Sequence, residues 1–101
     1  MKKSDGENTE IQLELNDAVA QGIYANLSMV NYRAEEFVLD YIFLQPNLPK
    51  GKVLSRLILS PKHARRLANM LETSLADYES KVGPIDDDSE VADADLNFSV
   101  N

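Results

Sequence analysis

Lys62, His63, Arg65 and Arg66 crowd two turns of one segment of this 101-residue chain. Cationic side chains beside the free N–H groups of a helix start could hold a phosphate, a nucleic-acid backbone or an acidic peptide. The plainer account is a solvated face, with Arg65 and Arg66 paired to carboxylates elsewhere. His63 could serve as a base only with an oriented partner, and nothing in the sequence identifies one. A second group is Ser28, Asp40 and Arg56. If residues 44 and 52 pair across the loop between two strands, Asp40 faces Arg56 as an opposite-charge pair, and a three-residue turn at 33–35 would add Ser28 to the row. Such a pair is structural unless a deep pocket gathers around it.

Other chemistry is missing. The chain has no cysteine and one histidine, which excludes a thiolate zinc site, a disulfide framework and a Cys-His nucleophile pair. Asp86, Asp87, Asp88, Ser89 and Glu90 lack the glycine and the terminal glutamate spacing of a calcium loop. Asn26-Leu27-Ser28 and Asn97-Phe98-Ser99 match the glycosylation sequon, a chance match without an export signal. With neither a Gly-rich phosphate loop nor a nucleophile elbow, no catalytic residue, metal or cofactor is expected, and the chain is not expected to be an enzyme.

The elements that must position these residues follow from local pattern. Ser60 is a favoured N-cap and Pro61 suits the first helical position, where no N–H is needed. From there Ala64, Leu67, Ala68, Leu71, Leu75, Tyr78 and Val82 fall within about 60° of one line at the helical period. Gly83 and Pro84 then stop a helix of about 22 residues. Its charges oppose its dipole at both ends: Lys62, Arg65 and Arg66 at the start, Glu72, Asp77 and Glu79 toward the finish. Each such charge costs about 0.3–1 kcal/mol unless something compensates it.

Four strands are expected before that helix. Residues 11–15 alternate apolar and polar, residues 24–32 do so imperfectly, residues 36–44 are aromatic and β-branched, and residues 52–59 follow a loop rich in proline. Residues 18–23 read as connection. Short links favour an antiparallel meander. The fold class is therefore α+β, with the long C-terminal helix packed on the face bearing Phe37, Leu39, Tyr41, Phe43, Leu57 and Leu59. The reverse face still offers Val30, Tyr32, Val38, Ile42, Leu54 and Ile58. One helix cannot cover both faces, so a second subunit is the simplest cover, with Asp40 and Arg56 near the interface.

The net charge of −7 is unevenly placed. Residues 84–101 hold six acids and no base, residues 1–10 two bases and three acids, and residues 11–83 eight of each sign. The folded part is thus neutral with a locally basic helix start, and overall charge says little about partners. The expected organisation is a disordered segment at 1–9, a single domain at 10–83 and an acidic, flexible tail at 84–101. The tail ends in alternating Leu96, Phe98 and Val100, which could add a strand on docking, and its acids could compete with an external anion for Lys62, Arg65 and Arg66. No run of about 18 apolar residues and no signal-like segment is seen, so a soluble, cytoplasmic protein is expected.

The pieces Gly22-Ile23-Tyr24-Ala25-Asn26, Glu36-Phe37-Val38-Leu39-Asp40, Val53-Leu54-Ser55-Arg56 and Ser60-Pro61-Lys62-His63-Ala64 carry a resemblance. Over residues 19–79 the chain resembles a family of short bacterial and archaeal proteins known as domain of unknown function three-four-six-seven. That resemblance implies no activity, and the acidic tail lies outside it. The functional expectation is a self-associating binding or interaction module, a homodimer or larger homo-oligomer with a possible protein or peptide partner and no membrane. A holder of extended peptides at open sheet edges is compatible with it. The alternative is anion or nucleic-acid binding at the basic helix start, modulated by the tail.

Overall fold

A computed structural model of the chain describes residues 9–86. The expectations for residues 1–8 and 87–101, including the docking of Leu96, Phe98 and Val100, lie outside the described residues. The elements run α1 (Asp17–Ala20), β1 (Leu27–Arg33), β2 (Glu36–Leu44), β3 (Gly51–Leu59) and α2 (Pro61–Lys81). The described residues divide into two compact units, one holding those up to Asn31 together with Val38–Leu57, the other Tyr32–Phe37 together with those from Ile58 onward.

The sheet has three strands in the order β1-β2-β3, one fewer than expected. Residues 11–15 form no strand, and Ile11, Leu13 and Leu15 are exposed. Alternation specifies which face a strand would bury, but a strand also needs a backbone partner, and residues 11–15 take up none among the described residues. The following connection holds the single turn of α1. Asn16 caps it, its Oδ1 accepting from the N–H groups of Ala18 at 2.9 Å and Val19 at 3.3 Å.

Strand β2 matches the aromatic and β-branched run, and it is the most covered element. Among the described residues Ile42 is the one buried apolar side chain and Asp40 the one buried polar one. In β1, Leu27 and Met29 are half-buried between exposed neighbours. Tyr24 meets Phe43 edge-on with ring centres 6.4 Å apart.

The expected strand registers differ from the observed hydrogen bonds near the turns. The β1–β2 turn is Ala34-Glu35, two residues rather than three. Yet the Asn26 N–H donates to the Ile42 carbonyl, so seven steps along β1 from the turn match six along β2. Across the other loop the Gln45 N–H donates to the Lys50 carbonyl, one residue tighter than a pairing of Leu44 with Lys52. Arg56 nevertheless reaches Asp40, the contact expected from that pairing. In β3 the adjacent Leu54 and Ser55 are both half-buried.

The β2–β3 loop is built by its own turn chemistry. The Leu48 N–H donates to the Gln45 carbonyl at 3.3 Å, with Pro46 and Asn47 between them and Asn47 at φ 64°. Proline followed by a left-handed asparagine is the type II pattern. Gly51 opens β3 because a Cβ there would sit 2.8 Å from a terminal methyl of Leu44.

In the second unit, Tyr32 stacks on Phe37 with ring centres 5.6 Å apart. Helix α2 starts where Ser60 and Pro61 place it: the Ser60 hydroxyl accepts the His63 N–H at 3.1 Å. It ends before Gly83, whose φ of 143° favours glycine. No residue of α2 is fully buried. Ala64 and Leu67 are half-buried, while Leu71 is 55%, Leu75 45% and Tyr78 49% exposed.

Candidate functional site

Two places bring chemically distinct residues together. The first is the centre of the sheet. Asp40, in the middle of β2, is 1% exposed, and Arg56 on β3 grips it with two hydrogen bonds. Nε donates to Oδ1 at 2.6 Å and Nη2 to Oδ2 at 2.8 Å. This two-point geometry is the strongest form of the carboxylate–guanidinium contact. The hydrogen bond from Arg56, helped by its positive charge and opposed by burial, holds the Asp40 carboxyl below its ordinary range. The same contact raises the Arg56 guanidinium.

Such a pair does not exchange protons near neutral pH, so it is a poor general acid or base. Its asymmetry is informative all the same. The carboxylate is sealed while the Arg56 side chain remains 52% exposed, leaving guanidinium N–H groups free to meet an acceptor from outside. Ser28 is exposed, and its hydroxyl makes no hydrogen bond to the pair.

The second place is α2. Lys62, His63, Arg65 and Arg66 are all exposed. Among the described residues the ion pairs are Asp40–Arg56 and Asp77–Lys81, so no described carboxylate pairs with Lys62, Arg65 or Arg66. Further along the helix, Leu71, Ser74, Leu75 and Tyr78 line an open apolar hollow of about 340 Å³ with Ile85. Ile85 is held there as its N–H donates to Glu79 Oε2 at 3.4 Å. Among the described residues no group of three metal-ligating side chains occurs, and no helix is long and apolar enough to cross a membrane.

Two residues outside the sequence-based candidates organise these places. Asn26 lies just before β1, and its amide does the work of a peptide: Nδ2 donates to the Leu44 carbonyl at 3.0 Å and Oδ1 accepts the Leu44 N–H at 2.7 Å. It thereby closes the end of β2 where β1 stops. The available signal was its amide, the one side-chain group that offers both halves of a peptide pairing. Ile85 is the other, and Gly83-Pro84 before it signalled a stop without giving the direction of the chain beyond.

These features define a small α+β protein, an antiparallel three-stranded sheet centred on a sealed carboxylate and followed by one long amphipathic helix. The chain belongs to the family described as Protein of unknown function (DUF3467), whose model matches residues 1–87. That match is wider than the resemblance over residues 19–79. No curated protein and no solved structure matches the chain.

Proposed function

We infer that the protein is a self-associating interaction module whose apolar surface is completed by a second copy of the chain. One observation carries the reading: Ile42 is the lone buried apolar residue among the described ones, while Leu71, Leu75, Tyr78 and Val82 of the α2 stripe lie in water. Fully burying a large apolar side chain is worth about 1.5–3 kcal/mol, so an uncovered stripe leaves much stabilisation unused. Exposed apolar patches of this kind mark contact surfaces. A two-fold dimer is the commonest way to cover one. The half-exposed Arg56 gives the sheet a polar anchor for the same or a further partner. A cytoplasmic, non-catalytic role is part of this reading. Light scattering after size exclusion at micromolar concentration should give twice the chain mass; a monomer overturns the proposal.

The exposure of Lys62, Arg65 and Arg66 without a described carboxylate partner favours a second reading, in which the helix start binds an anion or a nucleic acid. Binding of a short labelled single strand should then weaken steeply with salt, in proportion to the phosphates contacted. Binding that is absent at low salt, or that ignores salt, removes it.

A further inference from the structure

We propose that α2 pairs with α2 of the second copy in antiparallel orientation, about a two-fold axis near Leu71 and Glu72. The inference rests on the self-association argued above and names the surface and its direction.

The seam comes first. Leu67, Leu71, Leu75, Tyr78 and Val82 recur at steps of three and four residues, the spacing that lets two helices interlock along their length. They lie on an element with no buried residue. The hollow beside Leu71, Leu75 and Tyr78 offers space for the apolar side chains of a facing helix.

Direction follows from charge. The first two turns of α2 carry Lys62, Arg65 and Arg66, and its second half carries Glu72, Asp77 and Glu79 with Lys81. Each half opposes the helix dipole, and the described residues supply no compensating partner for the basic half. A parallel pair would stack three cations beside three cations and align both dipoles. An antiparallel pair sets each basic half beside an acidic half and opposes the dipoles.

The detail agrees with the outline. At about 100° per residue, Arg65 and Glu79 flank the stripe on the same side, and a two-fold axis perpendicular to the helices brings like sides together. With the axis near residue 72, Arg65 lies level with Glu79 of the second copy, and the reverse. Glu72 meets its own charge near the axis, the single like-charge approach on that side. The ends match in size, since Ala64 comes within about 3 Å, along the helix, of being level with the larger Val82.

The chain has no cysteine, so single-cysteine variants report this geometry cleanly. At 1.5 Å of rise per residue, Ala64 and its copy would be about 24 Å apart along the helix, whereas Leu71 and its copy would be nearly level. A short bismaleimide applied to the full chain should therefore join Leu71→Cys to itself. Neither Ala64→Cys nor Val82→Cys should join to itself. Mixed and allowed to exchange subunits, those two should join to each other. Self-joining of Ala64→Cys or Val82→Cys as efficient as that of Leu71→Cys means a parallel pair and overturns the proposal. A dimer by light scattering in which none of the three variants is joined places the contact elsewhere on the chain; this overturns the helix pairing alone and leaves self-association standing. A monomer by light scattering overturns both.

Discussion

The sheet centre and α2 handle charge in opposite ways. At the centre, one carboxylate is taken out of water and matched in full by a guanidinium at two points. Along α2, charges of both signs stand exposed and segregated beside an apolar stripe that nothing among the described residues buries. A group satisfied within the chain contributes to folding. A surface left unsatisfied within the chain is where a partner can gain free energy. The contrast separates residues that should control stability from residues that should control association.

The largest effect is expected at Asp40. Asp40→Ala removes the carboxylate from a buried position and leaves Arg56 without its partner, and breaking such a pair costs far more than the net worth of the contact. The thermal melt followed by circular dichroism should move further than for any other variant named here, with much of the chain insoluble. An unchanged melt would contradict the place given to the pair. Its titration gives a second break point. Because the folded state holds the Asp40 carboxyl below its ordinary 3.8, the pair's contribution is complete above that value and is lost as pH falls through the lowered one. Asp40→Asn should lose this acid limb while keeping the shape of the side chain.

Next comes the α2 stripe. Leu75 is 45% exposed, so Leu75→Asp should leave the melt of the dilute chain nearly unchanged. In the paired state the same change buries a charge in an apolar seam. A central contact residue of this kind is worth about 2 kcal/mol or more, which raises the dimer dissociation constant by roughly 30-fold. Sedimentation at a series of concentrations reads this directly. Equal losses of folding and association would erase the distinction between the two regions.

How much of this was legible depends on whether a signal is local. The start of α2 was, because Ser60 and Pro61 act on the first turn itself. So was β2, whose run from Glu36 to Leu44 carries aromatic and β-branched residues throughout. The facing of Asp40 and Arg56 followed from opposite charges on neighbouring strands. The strand at residues 11–15 was misread because alternation does not report whether a partner edge exists. The open stripe of α2 is a further case: its periodicity marks an apolar face without saying what, if anything in the chain, covers it.

A smaller effect is expected where Asn26 imitates a peptide at the end of β2. Asn26→Ala removes two exposed hydrogen bonds to Leu44, each with a net worth of about 0.5–1.5 kcal/mol. Urea unfolding should show a loss near the sum of the two, with the dimer constant of the folded chain unmoved. Asn26→Asp keeps the acceptor for the Leu44 N–H but turns an oxygen toward the Leu44 carbonyl, so it should be no better than the alanine variant.

The smallest effect separates exposed charge from matched charge. Lys81 and Asp77 form an ion pair at 3.2 Å, one helical turn apart, with side chains 71% and 61% exposed. Like the Asp40–Arg56 contact it joins a carboxylate to a cation, at a longer distance and through a single nitrogen. Water already solvates both groups, however, and two long side chains must be ordered to meet, so such a pair contributes only about 0.3–0.5 kcal/mol. Asp77 also points well away from the apolar stripe, toward the far side of the helix. Asp77→Asn should therefore shift neither the melt nor the dimer constant beyond that small margin, and added salt should remove what difference there is. A loss comparable to that at Asp40 would mean that Asp77 is desolvated in the working protein, and the line drawn here between the matched centre and the open helix would have to move.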